Sequence, residues 1–299
     1  MQDKTIVISL SNILVLLKER IISISIIFFS TALAAYFLSF SIPNQYTSGS
    51  VLSIVSEEKS NIASGNLSSL ASIAGVNLGD NNRPNEIVET IKSRNFLARL
   101  LEDKKWVPIL SVAKNYDPTQ DILIFDNKYF DQKNGSWKFD KKGSSYEPSV
   151  IKIHRDNYLP FLEVYLNKMN NLIYVSFTHI SPEIAYEFNN LIIKELNASF
   201  REKDLKEYQL KTEFLYEEAK ATSDLEIKSS INNLIELNLK QKMIATITKE
   251  YAVKILDSPF VPDKKSRPRR SIIMILSAIS ITFIYFLFML YRNYKESEV

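Results

Sequence analysis

The residue types that most often support catalysis are scarce in this chain and do not cluster. Histidine occurs only as His154, in the strand-like segment IKIH, and as His179, next to the predicted start of a helix. Cysteine is absent, which excludes thiol chemistry, and no serine stands in a nucleophile-elbow sequence. Glu217 and Glu218 fall on a polar helical face. We interpret both histidines as structural and predict no catalytic residue, no metal site and no cofactor.

Phosphate and nucleic-acid binding are also not indicated. A phosphate-binding loop needs a glycine-rich run followed by Lys and Ser or Thr, whereas Gly75 and Gly79 are followed by Asp80. Residues 43–263 carry 27 Lys and Arg against 30 Asp and Glu, so they lack the positive charge of nucleic-acid-binding proteins. The sequence therefore predicts a protein that is not an enzyme and binds no nucleic acid.

A basic, proline-rich segment, SPFVPDKKSRPRR at 258–270, stands directly before an apolar run. Its prolines, Pro259, Pro262 and Pro268, fix φ and lack an N–H, which predicts an extended and stiff connector. Its basic residues are Lys264, Lys265, Arg267, Arg269 and Arg270. They either bind anionic lipid headgroups or a charged partner, or extend along the membrane interface without a specific partner.

Two uncharged runs predict membrane-spanning helices. Residues 21–42 and 271–291 are 22 and 21 residues long, enough for a hydrocarbon core of about 30 Å. The first run is too long for the apolar part of a cleaved signal peptide, which is usually about 7 to 15 residues. It also offers small residues at small-xxx-small spacing for packing against another helix: Ser30 with Ala34, and Thr31 with Ala35.

Charge and loop length predict the topology. Lys4, Lys18 and Arg20 precede the first run, which favours a cytoplasmic N-terminus. The 228 residues from Pro43 to Arg270 form a segment long enough to be translocated largely regardless of its charge. We expect both termini in the cytoplasm and the bulk of the chain, including the basic cluster, in a bacterial periplasm. The lack of cysteine fits that compartment.

The segment between the apolar runs predicts a mixed α and β base. Alternating patterns predict strands at 45–55, 161–167, 171–181 and 249–259, and Asn134-Gly135 predicts a hairpin within 128–139. Residues 84–104 form an amphipathic helical pattern. The apolar segment LSSLASIAGVNLG at 67–79 belongs either to the core or to a contact between copies of the chain, and its small residues favour the contact.

Residues 183–258 contain neither glycine nor proline, which predicts long helices. Ser181 and Pro182 mark the start of the first helix, and Ser223 with Glu226 has capping-box spacing for a second, antiparallel one. The first helix carries a seam with 3-4-3-4 spacing, consisting of Leu205, Tyr208, Thr212, Leu215 and Ala219. The second places six apolar residues on one face: Ile227, Ile231, Leu234, Ile235, Leu239 and Met243. The seam needs a partner, which is the second helix, another copy, or both.

We therefore expect an α+β membrane protein, with candidate contacts between copies at Leu70, Ile73, Val76, Leu205, Tyr208 and Leu215. The predicted divisions are a cytoplasmic N-terminus (1–20), a first transmembrane helix (21–42), a periplasmic α/β base (43–180), a long helical arm (181–248), a returning strand with the connector (249–270), a second transmembrane helix (271–291) and a cytoplasmic tail (292–299).

Several segments, in the order in which they occur, resemble a known family. They are YTSGSVLSIV, LSSLASIAGVNLG, IYVSFTHISPEIAYEFNNLIIKELNASFREKD and ILDSPFVPDKKSRPRR, placed between two transmembrane helices. This order is similar to that of the polysaccharide co-polymerases, the Wzz-type chain-length determinants of O-antigen. The spacing of Pro259, Pro262 and Pro268 matches the family's P-x2-P-x4-S-P pattern, with Arg267 in place of the serine. The family's glycines in the second transmembrane helix are absent, because no glycine follows Gly143.

The resemblance implies a regulator in lipopolysaccharide biosynthesis rather than a catalyst. Family members form homo-oligomers in the inner membrane of Gram-negative bacteria, with α/β bases on the membrane and long helices in the periplasm. They set how far a Wzy-type polymerase extends a lipid-linked glycan, which is itself a candidate ligand. Two alternatives are a structural subunit of a capsule or exopolysaccharide export complex, and a receptor. The receptor is disfavoured because little sequence flanks the transmembrane helices on the cytoplasmic side.

Overall fold

The structure is a computed structural model that describes residues 17–55 and 82–296. It consists of two compact units, one formed by residues 45–265 and one by residues 1–44 and 266–299. We call them the globular unit and the helical pair. The predicted mixed α and β fold, with two apolar terminal helices and a long helical region, is confirmed. The predicted contact residues Leu70, Ile73 and Val76 lie outside the described residues.

The helical pair contains α1 (Ile21–Ser39) and α8 (Arg270–Glu296). Both are long and apolar enough to cross a membrane, with mean hydropathies of 2.2 and 2.5. They pack against each other and run antiparallel, because Arg270 at the start of α8 contacts Phe40 just after α1. The hydroxyls of Thr31 and Ser277 donate hydrogen bonds to carbonyls of their own helix, so these two side chains leave no unpaired donor in an apolar environment.

A four-stranded antiparallel sheet forms the base of the globular unit. It consists of β1 (Tyr46–Ile54), β6 (Leu162–Asn167), β7 (Leu172–His179) and β8 (Val253–Asp257), in the order β6-β7-β1-β8. Because successive strand residues alternate between faces, one face collects the apolar residues. This inner face bears Ser48, Ser50, Leu52, Ile54, Leu162, Val164, Leu166, Ile173, Val175, Phe177, Val253 and Ile255.

Helices cover the inner face. They are α2 (Arg83–Lys92), α3 (Arg94–Leu100), α4 (Trp106–Ser111) and the first half of α6 (Pro182–Ala221). Phe188 of α6 is fully buried between Phe177 of the sheet and Trp106 of α4, with ring centroids 4.5 and 5.1 Å away. The single helix predicted over 84–104 is wrong. Ser93 has an extended backbone and its hydroxyl accepts a hydrogen bond from the N–H of Phe96, which ends α2 and starts α3.

A set of small elements connects α4 to β6. Strands β2 (Ala113–Asp117) and β3 (Ile122–Phe125) form one hairpin, and β4 (Phe130–Asp131) and β5 (Ser136–Trp137) form another. The second is the predicted hairpin, and Gly135 has φ +62°, which glycine adopts without strain. The strand predicted for the segment IKIH is wrong, because α5 (Val150–Ile153) lies there and continues as a π-helical turn, His154–Tyr158.

A long antiparallel helical hairpin extends from the base. It consists of α6, which is 40 residues long, and α7 (Leu225–Ile247). Ser181 caps α6 as predicted, by accepting a hydrogen bond from Ile184 N–H. Ser223 is not the cap of α7, because Asp224 accepts from the N–H groups of Glu226 and Ile227. Two polar residues, Thr212 and Asn238, are buried on the hairpin.

Asn197 joins α6 to β8. Its amide nitrogen donates to Val253 O at 3.1 Å, while its oxygen accepts from Ala252 N at 2.7 Å and Val253 N at 3.0 Å. All three partners are buried where the chain leaves α7 and enters the sheet. Because a buried polar group without a partner is costly, this one side chain satisfies the backbone at the point where β8 begins.

We expect Asn197→Ala to destabilise the globular unit by about 3 kcal/mol, since it leaves buried backbone groups unpaired. This should lower the melting temperature of the full chain in detergent by roughly 10 °C. Asn190→Ala is the control, because Asn190 is half-buried and donates only to Tyr186 O of its own helix. Equal melting temperatures for the two variants would contradict the role of Asn197.

Candidate functional site

The two histidines have structural hydrogen bonds. His179 Nδ1 accepts from Ser181 N at 3.2 Å, so Nε2 carries the proton and faces Ile109 O at 3.2 Å. Burial lowers the pKa of His179 to about 4, so the ring is neutral at neutral pH. His154 Nε2 lies 2.7 Å from Lys92 O, where it acts as a donor. Within residues 17–55 and 82–296, no three His, Cys, Asp or Glu side chains group to hold a metal ion.

Ion pairs attach the base of the hairpin to the helices beside it. The guanidinium of Arg99 pairs with Glu195 at 2.8 Å and with both carboxylate oxygens of Glu202 at 2.7 and 2.9 Å. The hydrogen bonds to Arg99 lower the pKa of Glu202. The residue after Glu202, Lys203, pairs with Glu86 at 2.5 Å. These contacts fix the direction in which α6 leaves the base.

A second contact at the base of the hairpin is formed by Asp204, the residue after Lys203. Its carboxylate lies 3.4 Å from the guanidinium of Arg83 and accepts a hydrogen bond from the hydroxyl of Tyr251 at 2.7 Å. Burial, with hydrogen bonds to Tyr208 and Asp204, raises the pKa of Tyr251. Arg83 also lies over the ring of Tyr251 at 5.5 Å. The start of α2, the middle of α6 and the segment before β8 therefore meet at one point.

The predicted helical seam lies within the chain. Leu215 is buried against Leu234 and Ile235 of α7, while Leu205 and Tyr208 pack against the main core. The partner of this seam is thus the returning helix, one of the alternatives that the sequence left open. The role of these residues between copies of the chain stays a prediction.

The apolar residues of α7 do not share one face, contrary to the sequence-based expectation. Leu234 and Ile235 are buried, whereas Leu239, Met243 and Ile247 are exposed, the last two by 69% and 79%. At about 100° per residue, Met243 lies roughly 180° around the helix from Leu234. Apolar positions spaced by four turn by about 40° each, so the later ones gradually leave the side of the helix that faces α6. This gradual turn is the signal in the sequence. The residues Leu239, Met243 and Ile247, spaced by four, form what we call the outer stripe of α7.

The connector at 258–269 contains no helix, and Ser48 Oγ donates to Phe260 O at 2.8 Å within it. The basic cluster is divided. Four of its side chains are exposed, namely Lys264, Lys265, Arg267 and Arg269. Arg270 is half-buried, with its guanidinium 4.1 Å from the ring centre of Phe40 and 3.1 Å from Asn44 Oδ1. Its charge therefore joins α8 to the end of α1.

The two predicted small-residue pairs of α1 differ in burial. Thr31 and Ala35 are half-buried and lie on the side of the helix that ends at the buried Ser39. Ser30 and Ala34 are exposed. On α8, Ala278 is fully buried. The pair Thr31 and Ala35 thus belongs to the side that packs within the chain, and the pair Ser30 and Ala34 to the side that is open.

Comparison with solved structures finds matches to two polysaccharide co-polymerase structures. A full-length bacterial polysaccharide co-polymerase matches with 13% identity and a TM-score of 0.40, covering 97% of this chain and 99% of that one. A fragment of WzzB, a polysaccharide co-polymerase from Salmonella Typhimurium, matches with 14% identity and a TM-score of 0.30, covering 75% of this chain and all of that one. No curated protein sequence matches the chain significantly.

Comparison with family models gives one match. The model described as "Wzz: Chain length determinant protein" matches residues 6–104. The matched range includes α1, β1, α2 and α3, so it joins a candidate membrane helix to the first strand and first helices of the globular unit. The match confirms that this chain resembles the Wzz chain length determinant family.

Proposed function

We propose that this chain regulates the length of a surface polysaccharide, the O-antigen of lipopolysaccharide, and acts with a Wzy-type polymerase in the inner membrane. The observation that carries the proposal is the match of residues 6–104 to the chain length determinant family. The arrangement of the chain supports it, because an apolar helix stands at each end of a globular unit with a long helical hairpin.

The proposal assigns no catalytic step to the chain. A regulator of this kind acts through its shape and contacts, and the family is one of chain length regulators rather than of catalysts. The two histidines support this view, because each is engaged with a backbone carbonyl rather than directed into a cavity. Burial of His179 in its neutral form also removes it from acid or base chemistry near neutral pH.

The proposed topology places both termini in the cytoplasm and the globular unit in the periplasm. The two apolar helices form an antiparallel pair, so their outer ends, at residues 39 and 270, lie on the same side of a membrane. Residues 45–265 connect those two ends. The four exposed basic residues of the connector would then lie near the outer headgroups, to which anionic lipids attract them.

The function is tested by deleting the gene and separating the surface polysaccharide on a gel. We expect a changed length distribution with polymer still present. Restoration of the original distribution by a plasmid copy is the control. Complete loss of the polymer would instead indicate a subunit of a capsule or exopolysaccharide export complex, and an unchanged distribution would contradict both functions.

Self-association is part of the proposal, and the outer stripe of α7 is its proposed contact. Leu239, Met243 and Ile247 leave a continuous apolar surface in water, and exposed apolar area costs about 25 cal/mol per Å² relative to burial. Exposed large apolar residues on α6, Leu210 and Phe214, are also spaced by four. A second copy of the chain that packs its own hairpin alongside would bury such surfaces.

We expect Met243→Glu combined with Ile247→Glu to shift the full chain in detergent from an oligomer toward the monomer, because two charges would be desolvated in the contact. Mass photometry measures the change. The control is Asn232→Glu with Asn233→Glu, which adds the same charge at exposed positions of the same helix. The idea fails if the first pair leaves the oligomer mass unchanged, or if the unsubstituted chain is a monomer at micromolar concentration.

The connector is proposed to hold the globular unit at a fixed geometry relative to the membrane. Pro259, Pro262 and Pro268 restrict φ to about −65° and donate no hydrogen bond. Pro259 and Pro262 are buried, but none of the three belongs to the main core cluster, so replacing them by Ala loosens the joint without changing a residue of that cluster. We therefore expect normal expression and oligomer mass but a broader or shorter polysaccharide distribution on the gel. A distribution identical to that of the unsubstituted protein would show that the connector is only a tether.

A further inference from the structure

The sheet has a second face, which we call the outer face. By register and alternation it carries Thr47, Gly49, Val51 and Ser53 from β1, Leu172, Tyr174, Ser176 and Thr178 from β7, Glu163, Tyr165 and Asn167 from β6, and Lys254 and Asp257 from β8. All residues of this sheet that belong to the hydrophobic core cluster lie on the inner face. Among the described parts of the chain, the hydrophobic core thus lies on one side of the sheet only.

The outer face is unusual in its charge. Its eight residues from the two central strands, β1 and β7, include no charged side chain. Charged residues are 24% of the chain, so a water-facing surface of this size would be expected to carry about two. Hydroxyl groups occur there instead. Thr178 is buried, with its hydroxyl 2.8 Å from that of Thr47, and the half-buried hydroxyl-bearing residues are Thr47, Ser53, Tyr174 and Ser176. The charges that the register places on the outer face, Glu163, Lys254 and Asp257, are on the two edge strands.

Two tyrosines form an ordered aromatic surface at one side of this face. Tyr165 and Tyr174 are directly opposite each other on β6 and β7, with ring centroids 5.2 Å apart and planes inclined by 7°. The side-chain amide of Asn170 donates to the hydroxyl of Tyr174 at 3.3 Å. Tyr165 remains 47% exposed. Because the stack and the hydrogen bond restrict the rings in advance, a ligand would lose little freedom by ordering them.

Gly49 has no side chain, so the outer face beside these rings is open. It is opposite Ser176 in the register, next to the pair formed by Val51 and Tyr174. The nearest heavy atom to a Cβ built at Gly49 is Ser176 Cβ, at 4.0 Å. No large side chain of the described residues therefore covers this position. The tyrosine rings lie beside residues with small side chains, namely Gly49, Val51 and Ser176.

We propose that the outer face binds a segment of glycan, with a sugar ring stacked on Tyr165 and its hydroxyl groups bonded to the hydroxyls of the central strands. The C–H face of a pyranose ring is apolar and weakly positive, which suits the negative face of an aromatic ring. Serine, threonine and tyrosine hydroxyls both donate and accept, as sugar hydroxyls do. The choice of glycan rests on the proposed function.

A second copy of the chain fits this face less well than a glycan does. Protein contacts are built around large apolar or aromatic anchors that become fully desolvated. The central strands of the outer face offer only Val51 and Leu172 as aliphatic side chains, whereas the hairpin exposes Phe214, Met243 and Ile247. The hairpin is therefore the better surface for another copy, and the outer face the better surface for a polyol.

The test uses the full chain in nanodiscs and the surface polysaccharide of the producing strain, freed of its lipid by mild acid. We expect Tyr165→Ala to weaken binding about tenfold, which corresponds to about 1.4 kcal/mol. Tyr165→Phe should bind nearly as well as the unsubstituted chain, since the ring is kept. The matched control is Tyr216→Ala, because Tyr216 on α6 is 48% exposed and lies on the hairpin.

Three results would overturn the proposal: no binding by the unsubstituted chain, equal weakening by Tyr165→Ala and Tyr216→Ala, or a smaller oligomer mass for Tyr165→Ala, which would make the outer face a contact between copies. The function is judged separately by the deletion gel. Binding that depends on Tyr165 together with unchanged polysaccharide lengths would refute the function and keep the site. Changed polysaccharide lengths without binding would support the function and refute the site.

Discussion

The globular unit depends on the burial of the first half of α6 against a single face of the sheet. Phe188, Ile192 and Leu196 are fully buried there, and Asn197 on the same side satisfies the backbone at the start of β8. Since α6 continues without a break into the hairpin, the same helix that closes the core also supports the arm. The hairpin therefore has no hinge at its base, and the ion pairs of Arg99 and Lys203 strengthen this attachment.

Patterns that depend on neighbouring residues predicted most of the elements. The cap at Ser181, the hairpin at Asn134-Gly135 and the alternation of the four main strands are local signals, and the structure confirms them. The errors occurred where two local signals competed. At Ser93 a capping side chain interrupts an otherwise continuous amphipathic pattern, and at IKIH the capping residue Ser149 starts a short helix in spite of β-branched residues.

The surfaces proposed for binding and self-association were less accessible from the sequence, because they depend on contacts between distant residues. The pairing of Tyr165 with Tyr174 follows from strand register, and the division of α7 into buried and exposed apolar sets follows from where α6 lies. In the sequence, Arg270 is one of five basic residues with no feature that distinguishes it. In the structure, its contact with Phe40 distinguishes it from the other four. Local composition showed that such residues were present, but only the fold shows which of them act together.

The hydrogen bonds at the base of the hairpin have a consequence for the position of its tip. Apolar seams allow two helices to slide past each other by whole turns, since one aliphatic contact replaces another at little cost. Asn197 and Arg201 of α6 oppose this, because a shifted register would break their hydrogen bonds to Ala252, Val253 and Thr248, where the chain leaves α7. One turn of slippage would move the tip near Asp224 by about 5.4 Å. Copies of the chain standing side by side would therefore carry their tips at one common height.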